Sequence, residues 1–484
     1  MATINSAYSI ISGALNADQA ALNVVANNVA NANTAGYTEE TPTWRQGTPV
    51  EVDGVSFGTG VTETGAASQR DRVLQERLDQ QQQLAAASGT RLTALDSIQA
   101  LFTPASGSSS AAGDIGSDIT SFFSSFSSLE ANPTNNALRE QVLSSASTLA
   151  GGLSGAASSL MAQRSALDQE AAGVASQVNS LTGAIAQLNV QIQSTSPDAD
   201  AGTLEDQRQQ DLSQLSQLVG INQVTTESNG LSVTTTSGQS LVSEGQSFQL
   251  TTGRVNGVTD FFVGGADVTG QLATGGGQLG GYLTARDQDI PSALGSLDQL
   301  AYGISTSVNA LNNAGTDLNG VEGTGTNAAG AVGTGGAPLY IFNEPVAGAV
   351  AGSAAAMTVT MTDPSQIAAA GFGNGAGDNS NAVAMAKLAS QQIVNGQSPT
   401  NYYSNFVSTL GATVSGAQAE NTAQNASVTQ LQSQNNALSG VNLNDEASAL
   451  ATLEKSYQAA SQVFTILNTI MASAMNLGVE TAVA

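Results

Sequence analysis

Hydrophobic residues recur at helical intervals at both ends of this chain. Near the start, Ile4, Tyr8, Ile11, Leu15, Leu22, Val25 and Val29 follow one another at spacings of three, four or seven, a heptad seam with one gap at Asp18. The run Asn33-Thr34-Ala35-Gly36-Tyr37 ends the pattern, with Gly36 as the helix stop. Near the other end, Leu443, Leu450, Tyr457, Phe464 and Met471 are each seven apart, and Leu453, Ala460, Leu467 and Ala474 are seven apart on the adjoining row. Asn444, Asp445 and Glu446 suit the first turn of this second helix, where negative charge meets the positive end of the helix dipole. A helix from Leu443 to Leu477 would be roughly 50 Å long at about 1.5 Å per residue. A lone amphipathic helix is marginal in water. Both seams are therefore expected to be completed by other subunits; a helix pair buried within one monomer is the plainer alternative.

The interior alternates in character. Helical periodicity predicts helices over 72–101 and 119–129, another after Pro133, a long one over 160–192, and one that stops at Gly220. Residues 221–272 turn to Thr, Val, Gly and Ser with period-two alternation, which predicts short strands and hairpins. Helix returns over 279–311. A Gly/Asn/Thr loop follows to Pro338, then two strands at 339–342 and 356–361, then helices at 378–393 and 402–438. The expected fold is mainly α with an inserted β-rich module, in a discontinuous, elongated, multidomain chain. Its N- and C-terminal helices (1–60 with its connector, and 440–484) form a coiled coil. Residues 61–218, 278–314 and 378–439 form a helical-bundle body. Residues 219–277 form the outer β module, with 315–377 as its second, Gly-rich part.

Charge and composition narrow the chemistry. The chain has 484 residues, with Lys+Arg 12 against Asp+Glu 38 and a net charge of −26, which excludes nucleic acid and anionic membrane surfaces as partners. It has no cysteine and no histidine, which removes disulfides, thiolate and imidazole catalysis, and Cys- or His-based metal sites. No cofactor or metal is expected, and no catalytic residue. The start lacks a charged segment followed by an apolar one, so no Sec-type signal peptide is expected, and no apolar run is long enough for membrane insertion. Gly371 to Ala376 (GFGNGA) resembles a degenerate dinucleotide fingerprint, but no βαβ unit surrounds it, so a turn is expected. The acidic pairs Asp198/Asp200, Asp287/Asp289 and Asp445/Glu446 read as solvated or helix-capping charge, and the Asp317 stretch is too short for a calcium loop.

Asparagine is a poor helix former, yet Asn23, Asn27, Asn28, Asn31 and Asn33 crowd the first helix and its end. Asn16, Asn23, Asn27 and Asn31 share one face, with Asn28 beside them. Buried between helices, such amides would fix register at a cost in stability; exposed, they would form a polar solvent face.

The stretch ANNVANANTAGYTEETPTW resembles the N-terminal signature of the flagellar axial proteins, the rod, hook and hook-associated proteins. Asn27, Asn28, Val29, Ala30, Asn31, Asn33, Thr34, Gly36 and Tyr37 match it. GVNLNDEASALATLEKSYQAASQVFTILNTIMASAMNLG resembles the C-terminal signature, through Asn442, Leu443, Glu446, Ala447, Leu450, Tyr457, Ala459, Ala460, Val463 and Met471. Internal segments such as LEDQRQQDLSQLSQLVGI and LGGYLTARDQDIPSALGSLDQLA resemble the hook–filament junction members of that family. STSVNALNNAGTDLNG departs from their pattern by lacking a histidine, and the stretch after Asn319 is short and Gly-rich. The resemblance implies a structural protein that assembles with itself in a ring, between the hook protein and a second junction protein (hook-associated protein 3). It implies terminal helices packed around an export channel and an outward β module. It also implies passage through the flagellar type III export apparatus and a cytoplasmic export chaperone on the C-terminal region. Another axial protein, hook or hook-associated protein 3, is the alternative, and a secreted adhesin-type fibre is a further one.

Overall fold

The computed structural model describes residues 2–480 apart from 35, 53–54, 104–113, 196–200, 227–228, 327–329, 331, 334 and 347. The predicted loops at 104–113 and 196–200, with Asp198 and Asp200, lie outside the described residues. The architecture is mainly α with an inserted β module. Helix α1 (Ala2–Asn31) leads into a two-stranded antiparallel ribbon. Strand β1 (Glu40–Gln46) pairs with β4 (Val61–Ser68), and β2 (Val50–Val52) pairs with β3 (Val55–Phe57) further along it. This ribbon stands where the sequence reading expects only a connector. Its signal is present in VEVDGVSF, where alternating apolar residues flank Asp-Gly.

The body follows: α2 (Arg72–Ala100), α3 (Ile115–Ala131) and α4 (Asn136–Thr195). The side chain of Asp71 caps α2, accepting from the backbone N–H of Val73 and Leu74. Phe122, Phe123 and Phe126 of α3 are buried in one core with Leu149 and Leu160 of α4. The two helices expected after Pro133 and over 160–192 are one helix of 60 residues, roughly 90 Å long. Leu149, Leu153, Ala157 and Leu160 are all buried, so the apolar seam never breaks, and packing overrides the helix-weakening glycines. At one of these, Gly152, a Cβ would meet Asp118 Oδ2 at 3.1 Å, so the missing side chain lets α3 approach.

Helix α4 crosses two cores. Its first part, through Leu167, packs in the body. Its second, from Ala171 to Ala186, packs with α5 (Thr203–Leu218) and the β module. The module holds a four-stranded meander, β5 (Ile221–Thr225), β6 (Leu231–Thr235), β7 (Ser240–Ser243) and β8 (Gln246–Ser247). A three-stranded sheet of β9 (Leu250–Val255), β10 (Val258–Val263) and β11 (Ala266–Asp267) completes it. The β9–β10 turn is Asn256-Gly257, with φ of 51° and 85°, the left-handed pair that a tight hairpin demands. Two short helices, α6 (Thr269–Gly275) and α7 (Gly277–Thr284), lead back to the body. The helix expected over 279–311 is interrupted by a π-helical turn, Ala285–Asp289, before α8 (Ile290–Asn313). That turn carries Arg286. Its guanidinium is buried and donates to Asp168 Oδ1 and Thr259 O, both at 2.6 Å, tying β10 to the spine.

Residues 315–377 do not extend the β module. Leu339, Ile341, Phe342, Met357 and Ile367 are buried in the body core, and the expected strands at 339–342 and 356–361 meet only through an isolated bridge, Phe342 to Val359. A short helix, α9 (Ser353–Ala356), ends on the first residue of the second expected strand. The segment needs no sheet because Asn309, Asn312 and Asn313 of α8 bond its backbone instead. Asn309 alone accepts from Ile341 N and Phe342 N and donates to Phe342 O. Helix α10 (Ser380–Lys387) is shorter than expected; α11 (Pro399–Ser439) pairs with α2, and α12 (Leu443–Glu480) returns to α1.

Asp79 of α2 is fully buried at the joint of α2, α5 and β5. Gln75 donates to its Oδ1, and Gln209 and Gln223 to its Oδ2, at 2.8–3.1 Å. Burial pushes its carboxyl up to about 6, and the amides oppose that rise. Because the folded value lies above the ordinary one, the folded state binds the proton more tightly between about pH 4 and 6, and stability falls as pH rises through that window. Asp79→Asn is therefore expected to gain stability relative to the parent on going from pH 4.5 to 7.5, by about 2 kcal/mol. Urea melts of both proteins at the two pH values check this, and an equal effect of the substitution at both would contradict it.

Candidate assembly site

Helices α1 and α12 run antiparallel. Tyr8, Asp18 and Asn28 of α1 meet Phe464, Ser456 and Glu446 of α12 in turn. The Tyr8 and Phe464 rings are 4.9 Å apart, Ser456 Oγ donates to Asp18 Oδ2 at 2.9 Å, and Asn28 Nδ2 donates to Glu446 Oε1 at 2.8 Å. Among the described residues, no element apart from α1 makes an extensive packing contact with α12. On its other flank α1 rests on the ribbon, where Gly60, in the left-handed region at φ 91°, would bring a Cβ within 3.3 Å of Ile10 Cα.

The pair is only lightly buried. On α1 the residues Ala17, Ala21, Val25 and Asn28 are buried. Ile11, Leu15, Leu22, Asn27, Asn31 and Tyr37 are half-buried, while Tyr8, Asn23, Val29, Asn33 and Gly36 are exposed. The side chain of Ile4 lies outside the described residues. On α12, Leu453, Ala460, Phe464, Leu467 and Met471 are half-buried, and Leu443, Leu450, Tyr457 and Ala474 are exposed. Val463, Ile466, Ile470 and Met475 are exposed too. At about 100° per residue, the apolar positions of α12 span an arc of roughly 200°, and α1 covers the middle of it.

The asparagine face is split by the structure. Asn16 and Asn23 are exposed and line a shallow groove between α1 and β4, with Gln19, Ala20 and Glu63. Asn27 and Asn31 bond each other, Asn31 Nδ2 donating to Asn27 Oδ1 at 2.8 Å. The buried amide is Asn28, 1% exposed. Besides Glu446 its Nδ2 reaches Glu40 O at 2.8 Å, and its Oδ1 accepts from Glu40 N at 3.0 Å and Tyr37 Oη at 2.8 Å. One side chain thus joins α1, β1 and α12. Sequence reasoning places Asn28 and Tyr37 in the site but reads Glu446 as helix-end charge and a signature position, without its partner. Its partner is 418 residues away, a distance no local pattern spans.

The same joint fastens the terminal pair to the body. Glu39 N donates to Ser439 O at 2.9 Å, Thr38 Oγ1 to Asp206 Oδ1 at 2.9 Å, and Arg70 bridges Glu205 and Asp206. Burial, then Glu40, Asp206, Glu446 and Glu39, raise the Tyr37 phenol far above its ordinary range, so it stays a donor. Burial first, then Glu446 and Asp445, push the Glu39 carboxyl up. Elsewhere the candidate chemistry is structural. The Gly371–Ala376 stretch is a turn closed on Asp378, which accepts from Gly371 N at 2.7 Å. Asp289 holds Arg91 at 2.9 Å, Asp287 holds Arg286 at 2.8 Å, and Asp317 closes its own loop by accepting from Asn319 N and Val321 N. Among the described residues no acidic cluster could hold a metal ion, and no helix is long and apolar enough to cross a membrane.

Asn28→Ala removes four hydrogen bonds and leaves buried polar groups on Glu40 and Glu446 unpaired, at an expected cost of about 2–4 kcal/mol to local stability. Asn23→Ala, at an exposed position, is expected to stay within about 0.5 kcal/mol. Amide hydrogen exchange at Glu40 and along α12 compares the two; similar protection in both variants would contradict the central role of Asn28.

Comparison with known proteins places this arrangement. Residues 105–327 match the family described as the flagellar hook-associated protein FlgK helical domain, and residues 10–38 match the flagella basal body rod protein family. Flagellar hook-associated protein 1 of Salmonella typhimurium is 29% identical over 314 residues, covering 63% of this chain and 56% of the relative's own length. The protein of the same description from Bacillus subtilis is 26% identical over 512 residues, covering 96% of each. The flagellar hook junction protein FlgK from Burkholderia pseudomallei shares the fold, with a TM-score of 0.62 at 20% identity, over 74% of this chain and 99% of that one. With these matches and its paired terminal helices, the chain is similar to the flagellar hook-associated protein 1 family.

Proposed function

We propose that this chain is a structural subunit of the bacterial flagellum that forms the junction between hook and filament. In this reading copies assemble side by side through α1 and α12, around the export channel, and the β module faces outward. The observation that carries it is the uncovered apolar arc of α12. Residues left half exposed there each stand to contribute on the order of 1 kcal/mol when covered by a neighbouring copy. Charge supports the same use. The chain has a net charge of −26, yet residues 2–17 and 456–479 contain no charged side chain, so these helix ends can approach one another without repulsion.

The neighbours follow from that position. The hook protein lies on one side and a second junction protein, hook-associated protein 3, on the other. The residues assigned to assembly are the two seams and the asparagines between them. Before export, a cytoplasmic chaperone covers the α12 face that copies later cover, and the chain leaves through the flagellar type III apparatus. The joint around Asn28 then sets how the terminal pair leaves the body.

Immunogold microscopy of intact flagella, with antibody to the β module, is expected to show a single band between hook and filament. Label along the whole hook or filament would assign the chain to a different axial position, and label confined to the cell body would overturn the flagellar role. In the free monomer, limited proteolysis is expected to remove α1, the ribbon and α12 while 72–438 resists, because the terminal pair is lightly packed. Equal resistance along the chain would contradict assembly-dependent ordering of the ends.

A further inference from the structure

The ribbon between α1 and the body exposes apolar side chains that the terminal helices do not use. Trp44, the only tryptophan, is 48% exposed on β1. Val50 and Phe57, opposed across β2 and β3, are 52% and 49% exposed. The two strand pairs form one continuous ribbon, joined by Gly47 N donating to Gly60 O at 2.9 Å. A half-exposed aromatic ribbon of this kind marks an interaction surface more often than a solvent face.

We propose that this ribbon docks on α12 of a second copy, against the ridge of Val463, Ile466 and Ile470. The inference rests on the self-assembly reading above and names the surface that completes it. Three observations select a second copy as the occupant. First, the ribbon and α12 flank α1 from different sides. Tyr8, which meets α12, and Gly13, which meets β4, lie about 140° apart on the helix at 100° per residue. The two apolar surfaces of one molecule are therefore kept apart by α1, and each remains open to a neighbour, a head-to-tail arrangement that repeats around a ring. Second, the ridge lies in the charge-free part of α12, with the shoulder nearer Glu454 and Lys455 left to other contacts. Third, Arg45 sits exposed beside Trp44 and makes no ion pair among the described residues. It offers a positive charge at the rim of the patch to another copy of an acidic chain.

The chain contains no cysteine, so introduced thiols report single contacts. Flagella isolated from cells that carry Phe57→Cys and Ile466→Cys together are expected to yield a ladder of cross-linked multimers on mild oxidation. Each single variant is expected to yield none. A second pair, Val50→Cys with Ile470→Cys, guards against misaligned thiols. Incorporated protein that gives no ladder with either pair overturns the docking and leaves the flagellar role standing. Absence of the unsubstituted chain from flagella overturns both. Independently, Trp44 emission of the unsubstituted chain is expected to shift to the blue and resist quenching as multimers form; multimers with unchanged emission overturn the docking.

Discussion

A buried peptide edge must find hydrogen-bond partners, and in this chain helix-borne asparagines supply them. An asparagine amide offers both donors and an acceptor, so it can replace one rung of a sheet. Asn179 of α4 does this for Leu250, donating to its carbonyl at 2.9 Å and accepting from its N–H at 2.7 Å. Asn189, one face further along, donates to Leu231 O and Glu244 O and accepts from Arg208. Asn309, Asn312 and Asn313 do the same for the segment that packs on α8, and Asn28 for Glu40. An unpaired buried backbone group costs about 1–3 kcal/mol, so each amide decides whether a non-helical segment can lie against a helix at all.

That device explains how a chain rich in small residues holds together over such a length. Helix α4 runs through two separate cores, and the pieces that attach to it are irregular or short-stranded. Apolar side chains fill the cores, but non-directional burial does not orient a strand on a helix. The asparagines and the Arg286–Asp168 pair do. Asp168 accepts from Thr259 N and Thr259 Oγ1 as well as from Arg286, so β10 is held by backbone and side chain at one point. The β module is thereby tied to the spine at a fixed point.

The terminal pair is built on different terms. It has little buried area, one aromatic contact among the described residues, and one polar joint in which the Asn28 amide is fully bonded. Its helices are uncharged over most of their length and half uncovered. Such an element is stable in company and weak alone, which is what a subunit needs if it must remain soluble before assembly and rigid after it. The joint at Asn28 sits where both ends enter the body, so the hydrogen bonds that order the pair also transmit its position to the bundle.

The amino-acid sequence by itself determined the helices with long seams: α1, α2, α11 and α12 were legible because a 3.6-residue period survives whatever the helix later packs against. It also determined the β module, through alternation, and the class of chemistry, since a chain without cysteine or histidine has few catalytic options. The ribbon at β1–β4 had a local signal in VEVDGVSF that the sequence reading passed over, whereas the continuity of α4 and the π-helical turn at Arg286 were decided by packing, which no local pattern encodes. The same holds for residues 315–377, whose place in the body core depends on amides presented by α8. Within the site, the sequence marked a crowd of asparagines but not which one mattered. Only tertiary structure brought Glu446 across 418 residues to Asn28, because the choice of a buried amide depends on which backbone lies opposite it.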